Sequence, residues 1–246
     1  MRQIVALGGG GFSDETSNTL LDDYILGLTG KAAPRVCFLG TASGDGSAYI
    51  EKFYAAFRAP RTEPSHIALF HGPSFDPAPE TLVNLGPALR EHMLTRDVIY
   101  VGGGNTVAML AVWRAHGLDR LLRDAWEAGV VLCGLSAGSL CWFESGVSDA
   151  EGGGMAPLLN GLGFLDGSHC PHYESEPERR PAYQRLVADG TLPAGYAADD
   201  CAALHFVDGR LARVVASRPG ARSFRVERTA GGQVDETPIA TTLLSV

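Results

Sequence analysis

The 246-residue chain has little that would staple, anchor or extend it. Its five cysteines, Cys37, Cys133, Cys141, Cys170 and Cys201, are odd in number and never fall in a CxxC spacing. That argues against a disulfide framework, a zinc knuckle or a redox pair. Reduced, buried thiols and a cytoplasmic setting are the expectation. No stretch reaches the ~18 apolar residues of a membrane helix, and the apolar part of MRQIVALGGGG is too short for a secretory leader. Basic residues are outnumbered, 20 against 28, for a formal net charge of −8. Without a positive field to attract phosphate backbones, nucleic acid is not an expected partner. There is no HExxH metal motif, no Pro/Ser-rich linker, no internal repeat and no low-complexity tract. At 45% hydrophobic and 20% charged, the chain can bury a full core unaided. It reads as one domain over residues 1–246.

Short apolar runs rich in β-branched residues recur at Ile4–Leu7, Arg35–Leu39, His66–Phe70, Val98–Val101 and Val130–Gly134. Such near-continuous apolarity predicts strands buried on both faces, as in a parallel sheet covered by helices. Helical periodicity fills the gaps, over Ser47–Phe57, Pro79–Leu94 and Thr106–Ala128. The alternation predicts βαβ units and a doubly wound sheet, with the ligand crevice beyond the carboxyl ends of the strands. Small residues stand there: Gly8–Gly11, Thr41–Gly46 and Gly102–Asn105. Ser145–Leu165 is glycine-rich with weak periodicity, and Glu174–Leu186 is charged and reads as helical after Pro177. Ala202–Val207, Arg210–Ala216 and Ser223–Val226 read as late strands, with hairpin turns at Asp208-Gly209 and Gly231-Gly232.

The sharpest motif is Gly134-Leu135-Ser136-Ala137-Gly138, a GxSxG after a buried strand and before the apolar segment Ser139–Phe143, expected to be helical. In this arrangement the serine sits in a strained turn that lifts its hydroxyl above the sheet. A serine nucleophile needs a base. Of seven histidines, His169 and His172 stand out by position, in Gly167-Ser168-His169-Cys170-Pro171-His172-Tyr173. His92 and His116 fall in charged helical stretches, and His205 is expected to face outward from its strand. The base needs an orienting carboxylate, for which Asp199 and Asp200 are the downstream candidates and Asp149 and Glu151 the weaker upstream ones. Gly102-Gly103-Gly104-Asn105-Thr106 can bring backbone N–H groups close to a substrate oxygen. It lacks the P-loop lysine, and Gly8–Gly11 does not space its glycines as GxGxxG, so nucleotide binding is disfavoured.

Together and in this order, Gly102–Thr106, Gly134–Gly138 and Pro171-His172-Tyr173 followed by an arginine-bearing helix resemble dipeptidase E (aspartyl dipeptidase) and its cyanophycinase relatives, over roughly residues 1–215. The resemblance implies a class I glutamine amidotransferase-like α/β fold: a doubly wound, mostly parallel sheet with helices on both faces, here with C-terminal β-hairpins. It implies Ser136 as nucleophile, His172 as general base and Asp200 as the acid. The best-aligned relative has glutamate at the acid position, which leaves Asp199 and the more distant Asp149 in play. By the same resemblance Gly104 and Ala137 supply the oxyanion hole, and Asn105 and Arg179 contact substrate, the arginine through an acidic side chain. Arg180 is adjacent, and Glu174, Glu176 and Glu178 crowd the same segment. The expected activity is a serine peptidase cleaving short peptides, dipeptides with N-terminal Asp, through an acyl-enzyme without cofactor or metal. The expected partner is a small peptide, and self-association into a homo-oligomer is left open. A cyanophycinase-like or broader serine peptidase, or a non-catalytic binding module, is the alternative. The order Ser…His…Asp differs from the Ser…Asp/Glu…His of α/β-hydrolases. Serine at the elbow argues against a glutamine amidotransferase, which uses a thiolate.

Overall fold

A computed structural model describes residues 1–70, 87–150 and 152–245. The early apolar runs form β1 (Gln3–Leu7), β2 (Arg35–Leu39), β3 (Glu63–Ile67), β4 (Val98–Val101) and β5 (Val131–Leu135). They pair in parallel in the order β1-β5-β4-β2-β3. Successive side chains of one strand enter opposite cores. Val5, Phe38, Tyr100 and Cys133 face a cluster with Leu21 and Ile25 of α1 (Leu20–Gly27) and Phe53 of α2 (Ser47–Ala56). Ile4, Cys37, Ile99 and Leu132 face the other. There they meet Met93 of α3 (Pro87–Leu94), Trp113 of α4 (Thr106–His116), and Leu122 and Trp126 of α5 (Leu118–Glu127). Burial on both faces is why β1, β2, β4 and β5 carry no polar alternation.

Three boundaries differ from the sequence reading. The strand expected at His66–Phe70 lies earlier, at Glu63–Ile67, because its register with β2 runs from Arg35↔Glu63 to Leu39↔Ile67. The helical run Thr106–Ala128 is two helices, broken where Gly117 takes φ 72° and caps α4. The helix expected through Phe143 ends early: α6 spans only Ala137–Leu140, and Phe143 already belongs to the next strand. Residues 79–86 of the helix expected at Pro79–Leu94 lie outside the described residues.

The glycine-rich stretch opens a second sheet. β6 (Phe143–Ser148), β7 (Ala156–Leu158), β8 (Leu165–Cys170) and β9 (Gly195–Ala198) belong to it, with α7 (Arg179–Ala188) packed on them through Tyr183 and Val187. Next, β10 (Ala202–Val207) joins β1 antiparallel and turns at Asp208-Gly209 into β11 (Arg210–Ala216). Positive φ at both turn residues, 49° and 81°, is the backbone a tight hairpin demands. β12 (Ser223–Arg228) and β13 (Val234–Pro238) form the second hairpin, and β14 (Thr241–Leu243) pairs with β11. The sheets run β14-β11-β10-β1-β5-β4-β2-β3 and β13-β12-β9-β8-β6-β7. Among the described residues no helix is long and apolar enough to cross a membrane.

Candidate active site

The turn after β5 holds Ser136 at φ 55°, ψ −119°, a conformation rare for a residue with a side chain and costing about 1–3 kcal/mol. Its neighbours explain how the turn survives. A Cβ on Gly134 would lie 2.3 Å from the Gly138 carbonyl oxygen, and one on Gly138 would lie 2.2 Å from that of Val101. Only glycine fits either place. The Ser136 carbonyl accepts from Ser139 N, Leu140 N and Ser139 Oγ, but the Ser136 hydroxyl does not cap its helix. Among the described residues it has no hydrogen-bond partner, unlike a serine that merely stabilises a turn.

The Gly102–Gly104 loop runs directly against this serine. A Cβ on Gly103 would be 3.2 Å from Ser136 Cβ and 3.7 Å from Oγ. Gly102 N–H donates to Leu39, Gly103 N–H to the Tyr49 hydroxyl at 3.3 Å, and Asn105 N–H to Ala42. Gly104 N–H has no acceptor among the described residues. Ala137 N–H, first in α6, has no helical carbonyl to bond. Two uncommitted donors therefore flank the serine. The Asn105 side chain is committed to structure: Oδ1 accepts from Ala108 N at 2.8 Å as the cap of α4, and Nδ2 donates to Ala150 O at 3.0 Å.

The histidine arrives from β8. His172, at φ 54°, donates its backbone N–H to Gly8 O, and its ring Nδ1 lies 2.6 Å from Asp200 Oδ1. Asp200 forms an isolated parallel bridge with Gly9, and Cys201 N–H donates to Gly9 O. The backbone of Gly9 is wedged against the pair. A Cβ there would stand 2.1 Å from Asp200 Oδ1 and 2.8 Å from His172 Cε1, while one on Gly8 would stand 2.2 Å from Asp199 O. This is what the glycine run after β1 accomplishes, and sequence reasoning missed it. The signal was the run itself, tested there only against nucleotide fingerprints. β1 and β5 are paired with Leu7 opposite Leu135. His172, hung from Gly8, and Ser136 thus stand at the ends of neighbouring strands, whose axes are about 4.8 Å apart. Among the described residues no hydrogen bond joins Ser136 Oγ to the ring, and Nε2 has no partner. The hydrogen bond from His172 holds the Asp200 carboxyl below the usual aspartate range, against the opposing effect of burial.

The rival residues go elsewhere. His169 is fully buried, its Nδ1 donating to Tyr196 O at 3.0 Å and its Nε2 lying 3.1 Å from Ser139 Oγ. Burial drives its pKa down to about 3, so it is a neutral core histidine. His205 is buried rather than outward-facing, between the Tyr24 hydroxyl and Gln3. Asp199 accepts from Arg222 N at 3.0 Å, and burial raises its pKa to about 6. Asp149 is exposed and lies 3.6 Å from Arg179 Nη2. Of the three acids, only Asp200 reaches His172; Glu151 lies outside the described residues. Arg179, expected to contact an acidic substrate side chain, is buried. Its side chain is 5% exposed, with Nε donating to Glu176 at 2.6 Å and Nη1 to Val147 O. All five cysteines are buried and outside any disulfide, and burial pushes the Cys133 and Cys141 thiols beside the elbow far up, away from thiolate chemistry. Among the described residues no group of three or more His, Cys, Asp or Glu could hold a metal ion.

Comparison with known proteins finds peptidases. Over 241 residues, 97% of each chain, the sequence is 49% identical to the uncharacterized peptidase YgaJ of Bacillus subtilis (strain 168). Over 122 residues, 47% of this chain and 56% of the relative, it is 30% identical to the uncharacterized peptidase Lin0382 of Listeria innocua. The crystal structure of a peptidase from an acI-B1 Actinobacterium superposes with TM-score 0.68 at 16% identity, covering 98% of this chain and 95% of the other. A putative peptidase E protein from Listeria monocytogenes EGD-e superposes with TM-score 0.55 at 17% identity, covering 98% and 100%. These two share the peptidase E type of α/β fold. The profile of Peptidase family S51 matches residues 4–214, and with that match the chain belongs to Peptidase family S51.

Proposed function

We propose that the protein is a serine peptidase of short peptides that works through Ser136, His172 and Asp200. The observation that carries this is the His172–Asp200 pair, 2.6 Å apart, at the end of the strand next to an uncommitted serine in a strained turn. As Ser136 Oγ attacks the scissile carbonyl, His172 Nε2 takes its proton. Asp200 fixes the ring tautomer, with the proton on Nδ1, and stabilises the imidazolium. Gly104 and Ala137 N–H groups receive the charge that develops on the carbonyl oxygen; one such donor is worth about 3 kcal/mol of barrier. His172 returns the proton to the leaving amine. Water then attacks the acyl-enzyme with the same base, releasing the acid and freeing Ser136. The hydrogen bond from Ser136 to His172 is expected to form as substrate binds, as catalytic hydrogen bonds tighten in the Michaelis complex.

The finer preference, for dipeptides beginning with aspartate, rests on Arg179. Its closest tie is to Glu176, but its looser one, 3.6 Å, is to the exposed carboxylate of Asp149. Asp149 occupies the kind of place an acidic substrate side chain would take by displacing it. Five buried cysteines outside any disulfide suit a reducing cytoplasm. A panel of Asp-Leu, Leu-Leu and β-Asp-Arg peptides tests both levels. Cleavage of Asp-Leu above the others, abolished in Ser136→Ala with the circular dichroism spectrum unchanged, is the expected result. Preferential cleavage of β-Asp-Arg would transfer the reading to a cyanophycinase-like activity. Wild-type rates in Ser136→Ala would overturn the nucleophile.

A further inference from the structure

The second hairpin lies beyond residue 214, where the family match ends, yet it touches both partners of the His172–Asp200 pair through their neighbours. On one side, β12 pairs with β9, aligning Ser223 with Ala198. Asp199, next to Asp200, donates its N–H to Arg222 O and accepts from Arg222 N at 3.0 Å. On the other side, Glu236 of β13, with a side chain 12% exposed, accepts hydrogen bonds from the Tyr173 hydroxyl, from Arg180, and from Gln184 Nε2 at 2.7 Å. Tyr173 directly follows His172 and is buried. Its own N–H donates to Ala198 O, and Arg180 lies over its ring, 5.4 Å from the centroid. His172 holds a left-handed backbone conformation, which persists only when its surroundings over-determine it. The bonds on either side of it are the Gly8 carbonyl contact and the Tyr173 anchor.

We propose that Glu236 is a positioning residue for the peptidase chemistry: through Tyr173 it fixes the backbone that aims the His172 ring, while β12 fixes the strand end that delivers Asp200. Glu236 touches no reacting atom. It ties a hairpin outside the family match to the site, holding the chain just after His172 and just before Asp200 to a single piece of sheet. The inference rests on the triad reading above. It adds a specific coupling, Glu236 to Tyr173 to His172, that the triad alone does not require.

Glu236→Gln and Tyr173→Phe each keep the shape of the side chain and weaken the same bond. Each is expected to lower kcat for the best peptide of the panel about tenfold with KM little changed, since misplacing a catalytic group by 1 Å costs up to about 100-fold. The double variant is expected to be no slower than the slower single one, because both act through one contact. The second readout is the far-downfield proton signal of the His172–Asp200 hydrogen bond in the proton NMR spectrum, expected to broaden or move in both variants. Glu236→Asp, which restores the charge, should recover part of kcat. Variants with lowered melting temperature but wild-type kcat and an unmoved downfield proton would overturn the proposal, leaving the hairpin a structural element. A wild-type chain that shows the downfield proton but cleaves no peptide would sink the peptidase reading separately. The response of that proton to Glu236→Gln would then decide the coupling.

Discussion

Replacing Gly9 by alanine adds one methyl group at the most crowded point of the site. Gly9 is not in a left-handed conformation, so the change carries no backbone penalty and acts through contact alone. The methyl carbon would stand 2.1 Å from Asp200 Oδ1 and 2.8 Å from His172 Cε1. Unbonded carbon and oxygen rest at no less than about 3.3 Å, so the carboxylate must withdraw by more than about 1 Å. The ring is obstructed as well, so the 2.6 Å bond between them cannot move as a unit. A misplacement of about 1 Å can cost up to about 100-fold, which sets the scale of the expected loss. The upper bound is the ~10,000-fold cost of losing the triad acid. Overpacking of this kind costs about 1–3 kcal/mol of stability, and half-exposed Asp200 can yield toward solvent, which favours the low end. The assay is kcat/KM on the preferred peptide beside the melting temperature. Gly27→Ala is the control, since that glycine ends α1 with open space at its Cβ position and alanine should stabilise the helix. A Gly9→Ala protein within threefold of wild-type activity would refute the claim that the pair needs this close backbone approach.

Two further outcomes follow from the same geometry. Asp22 is buried, and that burial lifts its pKa from 3.8 to about 7, against a smaller opposing effect from the Tyr100 hydroxyl. As pH rises through that window the unfolded chain has released this proton and the folded chain has not, so stability falls with rising pH. Asp22→Asn cannot ionise, so its gain in melting temperature over wild type should grow from pH 4 to pH 7 and then level off; an equal difference at pH 5 and pH 8 would contradict the burial argument. Arg179→Ala should raise KM for Asp-Leu more than for Leu-Leu, because the lost contact is to a ground-state carboxylate. An unchanged ratio between the two peptides would remove Arg179 from substrate recognition.

The parallel strands were legible because burial on two faces leaves a local signature. Val98–Val101 has no polar residue to confuse it, and its span matches β4. The elbow was legible because Gly134 and Gly138 are compelled by backbone atoms 2.2–2.3 Å from any Cβ. In the second sheet β12 was legible at Ser223–Val226, but β6 to β9 were not. β7 has three residues and β6 alternates irregularly through a register shift at Phe143/Ser145, so neither carries a clean period. The break at Gly117 was hidden by apolar residues that continue at helical spacing on both sides. Choosing among Asp149, Asp199 and Asp200 was beyond local reading too. Asp199 and Asp200 share one neighbourhood, and what separates them is the pairing of Gly9 with Asp200, a contact across 191 positions of chain. The burial of Arg179 likewise depends on Glu176 and Val147, which only the fold brings around it.

The most direct test is covalent labelling with a small serine-directed phosphonate, read by intact mass and then by peptide mapping. A single adduct on Ser136, lost in Ser136→Ala and strongly slowed in His172→Ala, is the predicted result. No adduct on well-folded protein, or labelling at Ser136 that proceeds at the same rate without His172, would contradict an activated serine at this site.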